Sequence, residues 1–163
     1  MQNLVVDTSI IISTIIGGRK VRYLFLTSAR THNLHSPAEV IEEIRRNKDK
    51  IARLKGIREE RVEEMLERMV IPRIKIVPLE EYKDKIHRAT RILKDTDPSD
   101  APFIALAIHL NAPLWTGDRG LIALSLQTGE YKALDTRALE MLLEGREWRK
   151  VEEYLRERYR ARL

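Results

Sequence analysis

Short apolar runs alternate with helical stripes along this chain, and their lengths separate strands from helices. The first run, NLVV at residues 3–6, is short and rich in β-branched residues, which predicts a buried strand that stops at Asp7. The apolar stretch IIISTII follows, up to the Gly17-Gly18 break. VRYLFLTSART predicts a helix and HNLHS a short strand running into a turn. SPAEVIEEIRRNKDKIARL predicts a single helix with Ser36 as N-cap and Pro37 at the first helical position. Val40, Ile41, Ile44, Ile51 and Leu54 then recur at helical spacing until Gly56 interrupts them.

Helical spacing resumes in REERVEEMLERM, through Val62, Met65, Leu66 and Met69, and Pro72 ends it. RIKIVP predicts a strand and LEEYKDKIHRATRILK one amphipathic helix. DAPFIALAIHL is apolar nearly all round, as expected of a central buried helix. APLWTGD predicts a short strand ending in a turn, and RGLIALSLQT, YKALD and TRALEMLLEG add helix, strand and helix. Strands alternating with helices predict a three-layer α/β/α fold around a central, mostly parallel sheet.

No repeat, low-complexity tract or Pro/Gly-rich linker divides the 163 residues, so one domain spanning 1–163 is expected. Within it, residues 44–72 read as a helical arm and 146–163 as a basic C-terminal helix or tail. A hydrophobic share of 43% is enough for a full core at this length. The absence of cysteine excludes disulfides, thiolate metal sites and a cysteine nucleophile. No run approaches a membrane span, and the apolar start contains Asp7 and lacks a basic leader, so a cytoplasmic protein is expected. A formal net charge of +5 is compatible with a polyanionic partner.

The unusual feature is acid placement. Asp7, Asp100 and Asp118 each border an apolar element, and buried carboxylates are costly without a cation. In a parallel sheet, ligands bind beyond the carboxyl ends of the strands, where these acids are expected to gather. Asp7, inside an apolar run, does not read as a surface charge, but the other two have an ordinary alternative: Asp100 as a helix N-cap, Asp118 as a turn residue. Glu39, Glu42 and Glu43 compete for a fourth position. An all-oxygen set suits a hard ion, Mg²⁺ or Mn²⁺, one or two in number, and the matching chemistry is hydrolysis of a phosphodiester. The four histidines show no metal-ligand spacing, and IIGGRK lacks the features of a phosphate loop.

In order and spacing, VVDTSIII, SPAEVIEEI and DPSDAPFIALAIHLNAPLWTGDRGL resemble the PIN-domain nuclease family, which includes VapC-type toxins. The resemblance covers roughly residues 3 to 135. It implies that Asp7, Glu43, Asp100 and Asp118 are the catalytic, metal-binding acids, with Glu43 favoured over Glu42 because it precedes an aliphatic residue. It places Thr8, Ser9 and Thr116 behind them as hydroxyls that orient carboxylates or water. Asp97 is a candidate outer ligand or a turn residue, and Arg119 a candidate RNA contact. The resemblance further implies Mg²⁺- or Mn²⁺-dependent cleavage of single-stranded RNA, a homodimer, and an antitoxin partner if the chain is a toxin.

Two other functions compete. A non-catalytic PIN-like module would bind RNA or protein, but has no need of four mutually repelling acids. A phosphotransfer enzyme using Asp7 as nucleophile would want a second Asp two residues on, where Ser9 stands. Trp148, Tyr154 and Tyr159 in the tail are expected to pack rather than stack on bases.

Overall fold

The computed structural model of the protein describes residues 2–163. Five parallel strands form one sheet in the order β3-β2-β1-β4-β5. They are β1 (Gln2–Val6), β2 (His32–Pro37), β3 (Lys75–Val77), β4 (Leu114–Trp115) and β5 (Ala133–Leu134). The chain runs outward from β1 to β2 and β3, then returns to the other side of β1 for β4 and β5. The strand order therefore reverses between β1 and β4, and a crevice opens there beyond the carboxyl ends.

The helices cover both faces of this sheet. They are α1 (Thr8–Ile15), α2 (Arg19–Thr31), α3 (Glu39–Arg46), α4 (Lys48–Lys55), α5 (Glu59–Met65), α6 (Leu79–Tyr82), α7 (Ile86–Ile92), α8 (Ala101–Leu110), α9 (Arg119–Thr128), α10 (Thr136–Leu143) and α11 (Trp148–Arg158). The predicted three-layer fold is the one observed. Val5 and Val6 of β1 and Ile104 to Leu106 of α8 are wholly buried, so the apolar blocks of the sequence form the centre of the core. No helix among the described residues is long and apolar enough to cross a membrane.

Local boundaries differ from expectation in three places. Ser36 and Pro37 lie inside β2, not at a helix start, and α3 begins only at Glu39. The Ser36 hydroxyl donates to the carbonyl of Val6 at 2.5 Å, so it ties β2 to β1 instead of capping. The single helix expected over residues 36–54 is broken at Asn47 into α3 and α4. Likewise residues 79–94 form α6, a 3₁₀ turn at Lys83–Lys85 and α7. Gly56 ends α4 with φ of 63°, a left-handed cap that a residue with a Cβ adopts only at a cost.

The arm and the tail both pack. Ile44, Ile51, Val62, Leu66 and Val70 bury an apolar stripe across α3, α4, α5 and the π-turn Leu66–Val70. In the tail, Val151 and Leu155 are buried, and Tyr154 and Tyr159 both donate to Asp135 Oδ2 at 2.8 Å. The Trp148 ring lies 4.7 Å from the Lys132 ammonium. These aromatics fasten α11 to the β5 end of the sheet.

Candidate active site

Asp7 leaves β1 at the point where the strand order reverses. Its backbone N–H donates to Trp115 O of β4 at 3.0 Å, which fixes it against the neighbouring strand. The residue is 6% exposed, and both oxygens of its carboxylate accept hydrogen bonds. Oδ1 accepts the Thr8 N–H at 2.9 Å, while Oδ2 accepts the Ser9 hydroxyl at 3.1 Å and the Thr116 hydroxyl at 2.5 Å. Burial raises its pKa above the ordinary carboxyl value, these hydrogen bonds pull it back, and the Asp118 charge adds to the rise.

The two hydroxyls also grip the loop after β4. Ser9 Oγ accepts the Gly117 N–H at 3.1 Å, and Thr116 Oγ1 accepts the Asp118 N–H at 3.0 Å. The end of β1 and the Thr-Gly-Asp turn are thus one hydrogen-bonded unit, although more than a hundred residues separate them. Asp118 is exposed and caps α9, its Oδ1 accepting from the N–H groups of Gly120 at 2.8 Å and Leu121 at 3.2 Å. A cap uses one oxygen, so capping and ligation are compatible in this residue.

Among the three competing glutamates, only Glu43 lines the cavity with the aspartates. Thr8 Oγ1 donates to Glu43 Oε2 at 3.2 Å, linking α3 to the first turn of α1. Glu42 is exposed, and Glu39 accepts the Tyr82 hydroxyl at 2.9 Å. Asp100 stands at the N-cap position of α8 but makes no capping hydrogen bond. The capping is done three residues earlier by exposed Asp97, whose Oδ1 accepts the Ser99 N–H at 2.9 Å. Asp97 is the turn residue of the pair, and its pKa is held low by those bonds from Ser99. Asp100 is half-buried, and its pKa is pushed up to about 6 by burial first, then by the charges of Asp7, Asp118, Asp97 and Glu43.

These side chains surround a cavity of about 400 Å³. Asp7, Glu43, Asp100 and Asp118 line it with Thr8 and Ser9, and no Lys, Arg or His does. Thr116 sits behind Asp7, fully buried. Arg119 is exposed beside Asp118, outside the lining. A larger cavity of about 980 Å³ opens at the opposite, amino edge of the sheet, but its lining includes Arg88, Lys132 and Arg146 and only one acid, Glu130. Charge, not volume, marks the smaller cavity as the chemical one.

The donor chemistry of the smaller cavity fits a divalent cation: every polar side chain in it offers oxygen, and neighbouring carboxylates add to the raised pKa of Asp7 and Asp100. Among the described residues no three acids stand close enough to enclose an ion unaided. An ion such as Mg²⁺, which keeps several waters and takes only one or two carboxylates directly, would not need such an enclosure.

Sequence reasoning missed Ile12, Ser99, Phe103 and Gly117, which also line the cavity. Helical periodicity contained the signal for two of them. Ile12 lies four residues after Thr8 in α1, and Phe103 three after Asp100 at the start of α8, so each shares the face of a site residue. The approach of Gly117 to Ser9 depends on the pairing of β1 with β4 and has no local signature.

No curated protein matches the chain in sequence. Its fold is similar to that of VapBC2 from Rickettsia felis, a structure bound to a DNA fragment from their promoter, with a TM-score of 0.62 and 14% identity over 82% of this chain and 98% of that one. FitAcB from Neisseria gonorrhoeae is similar with a TM-score of 0.59 and 17% identity, over 82% of this chain and 97% of that one. The family profile of the PIN domain matches residues 5–156. With Asp7, Glu43, Asp100 and Asp118 gathered at the switch point of a parallel sheet inside that span, the chain belongs to the PIN domain family, whose members are generally nucleases.

Proposed function

We propose that this protein is a divalent-metal-dependent endoribonuclease that hydrolyses phosphodiester bonds of single-stranded RNA. The observation that carries this reading is the cavity at the carboxyl edge of β1 and β4, lined by Asp7, Glu43, Asp100 and Asp118 and by no basic side chain. One or two Mg²⁺ or Mn²⁺ ions held by these four acids would offset phosphate charge and lower the pKa of a bound water. The chain's own part is to fix the acids. Thr8, Ser9 and Thr116 hold Asp7 by both oxygens, Thr8 also holds Glu43, and the first turn of α9 holds Asp118. Hydrolysis then adds a water oxygen to phosphorus and releases the sugar oxygen, which leaves protonated.

Fold likeness to VapBC2 favours a second, more specific reading: the chain is the toxin of a toxin–antitoxin pair, with an antitoxin protein as partner. We further propose a homodimer as its working form. In either reading residues 1–163 act as one domain, in a cytoplasmic setting where RNA is the substrate. Arg119, exposed next to Asp118, is the cation best placed to meet a phosphate outside the cavity.

The test is cleavage of a single-stranded RNA pool with Mg²⁺, with Mn²⁺ and with EDTA, beside the Asp7→Asn protein. Products that require metal and vanish in the variant are expected. Identical traces from both proteins with every metal would defeat the nuclease reading and favour a non-catalytic RNA- or protein-binding module.

A further inference from the structure

Part of the cavity is not explained by metal chemistry. Beside the four acids and the hydroxyls of Thr8, Ser9 and Ser99, the lining of the 400 Å³ cavity includes two apolar side chains, Ile12 and Phe103. Ile12 is half-buried and lies one helical turn beyond Thr8, on the same side of α1. Its neighbours Ile11 and Ile15 are fully buried, whereas Ile12 packs against the core with one side and leaves the other in the cavity lining. Phe103 is 4% exposed and lines the same cavity from the first turn of α8.

Charge sharpens the question. An RNA strand entering here meets no positive side chain in the lining. Ions at the acids would hold the scissile phosphate, but the adjoining nucleotide must be held without ion pairing. An apolar wall accepts the face of a base, since every base has an apolar π-face. A base within a duplex has both faces stacked and cannot present one. Apart from the acids, the polar side chains in the lining are hydroxyls, and Thr8 and Ser9 are committed to carboxylates. Few groups are left to read a base edge by hydrogen bonds.

We propose that Ile12, backed by Phe103, is the seat of an unpaired nucleobase adjoining the scissile phosphate. This rests on the nuclease reading and gives its preference for single strands a structural origin: the seat selects an exposed base face and discriminates weakly among the four bases.

The experiment uses a short single-stranded RNA with one mapped cleavage position, together with two derivatives carrying an abasic ribose immediately 5′ or 3′ of that position. Cleavage with Mg²⁺ is measured for the wild type, Ile12→Ala and Ile12→Leu, with thermal melts of each. For the wild type, one abasic derivative is expected to lose about tenfold or more in kcat/KM, mainly through KM. Ile12→Ala is expected to lose about as much on intact RNA and nothing further on that derivative, whereas Ile12→Leu keeps most of the wild-type rate. Changing the base at that position is expected to alter kcat/KM by no more than about threefold.

Equal cleavage of all three RNAs by the wild type would overturn the seat, and that result needs no variant to fold. Losses from Ile12→Ala and from the abasic ribose that multiply would also overturn it. In both cases metal-dependent cleavage of intact RNA persists and the nuclease reading stands. Absence of cleavage with every RNA and metal would remove both.

Discussion

At the carboxyl edge of the sheet, β1 and β4 deliver Asp7 and Asp118 into the first turns of α1 and α9. At the amino edge, where α2, α8 and α9 end, Arg88, Lys132 and Arg146 line a cavity more than twice as large. Helix N-termini carry partial positive charge and C-termini partial negative charge, so acids at one edge and bases at the other are each matched to the backbone. The edges differ in what remains uncompensated. At the amino edge Arg88 is paired with Glu130 through two nitrogens, Lys132 lies over Trp148, and Arg146 lies 3.6 Å from Glu144. At the carboxyl edge four acids share one cavity with no basic side chain in its lining. The larger cavity is electrostatically settled, and in the smaller one the acids have no basic partner in the lining.

Removing one charge from each edge should separate them most widely. Asp100 makes no capping hydrogen bond, so Asp100→Asn takes away repulsion and buried charge with little structural loss. RNA cleavage is expected to fall by roughly a thousandfold, while the melting temperature in EDTA at neutral pH stays level or rises. Lys132→Ala, on the other edge, is expected to cleave within about twofold of wild type. A loss of cleavage in Lys132→Ala to match Asp100→Asn would erase the distinction between the edges.

Thr8→Val tests how the acids are held. It keeps shape but deletes the hydroxyl that donates to Glu43. Metal affinity, measured by titrating cleavage against Mg²⁺, is expected to weaken roughly 10- to 100-fold, the usual consequence of losing a group that orients a ligand. Unchanged Mg²⁺ dependence would place Glu43 outside the metal site.

The edges also predict two pH responses of opposite sign. Burial and neighbouring charge raise the folded-state pKa of Asp7, and that of Asp100 to about 6. The stability these protonated acids contribute is full below the ordinary carboxyl value of 3.8 and is lost as pH rises through about 6 in ion-free protein. Mg²⁺ should flatten that loss. Buried His35 behaves the other way: burial and the Lys75 charge depress its pKa, so stability is full above 6.5 and declines as pH falls below it. His35 hydrogen-bonds Asn3 and lies away from the acids, so Mg²⁺ should leave this loss alone. Melting temperatures across pH 3–8, with EDTA and with Mg²⁺, separate the two. A profile that Mg²⁺ does not change at any pH would contradict the assignment to the acids.

The smallest effect is expected from Lys132→Met. A cation–π contact at an exposed site contributes about 0.5–1 kcal/mol, so the melting temperature should drop by a few degrees at most, with cleavage unchanged.

The element order and the acids at strand ends were legible because burial writes them into the chain. NLVV and PLW read as strands since both have buried partners, and DAPFIALAIHL reads as a central helix since it is covered nearly all round. What misled was local chemistry with more than one use. Ser36-Pro37 has the form of a helix start, but β2 is paired on both sides, and the Ser36 hydroxyl serves the carbonyl of Val6. Asp100 has the form of an N-cap, but Asp97 does the capping and leaves Asp100 to the cavity. The breaks at Asn47 and Lys83–Lys85 carry no proline or glycine that would announce them in the sequence. Ile12 escaped notice because an isoleucine among isoleucines looks like core, and only the gap between α1, α3 and α8 distinguishes it.

The most direct test of the central claim is a calorimetric titration of ion-free protein with Mn²⁺ at neutral pH, for the wild type and Asp7→Asn. Saturable binding of one or two ions per chain is predicted for the wild type, with most of that affinity gone in Asp7→Asn. No heat of binding in the wild type, or equal binding in both proteins, would contradict the claim that these four acids are gathered to hold a cation.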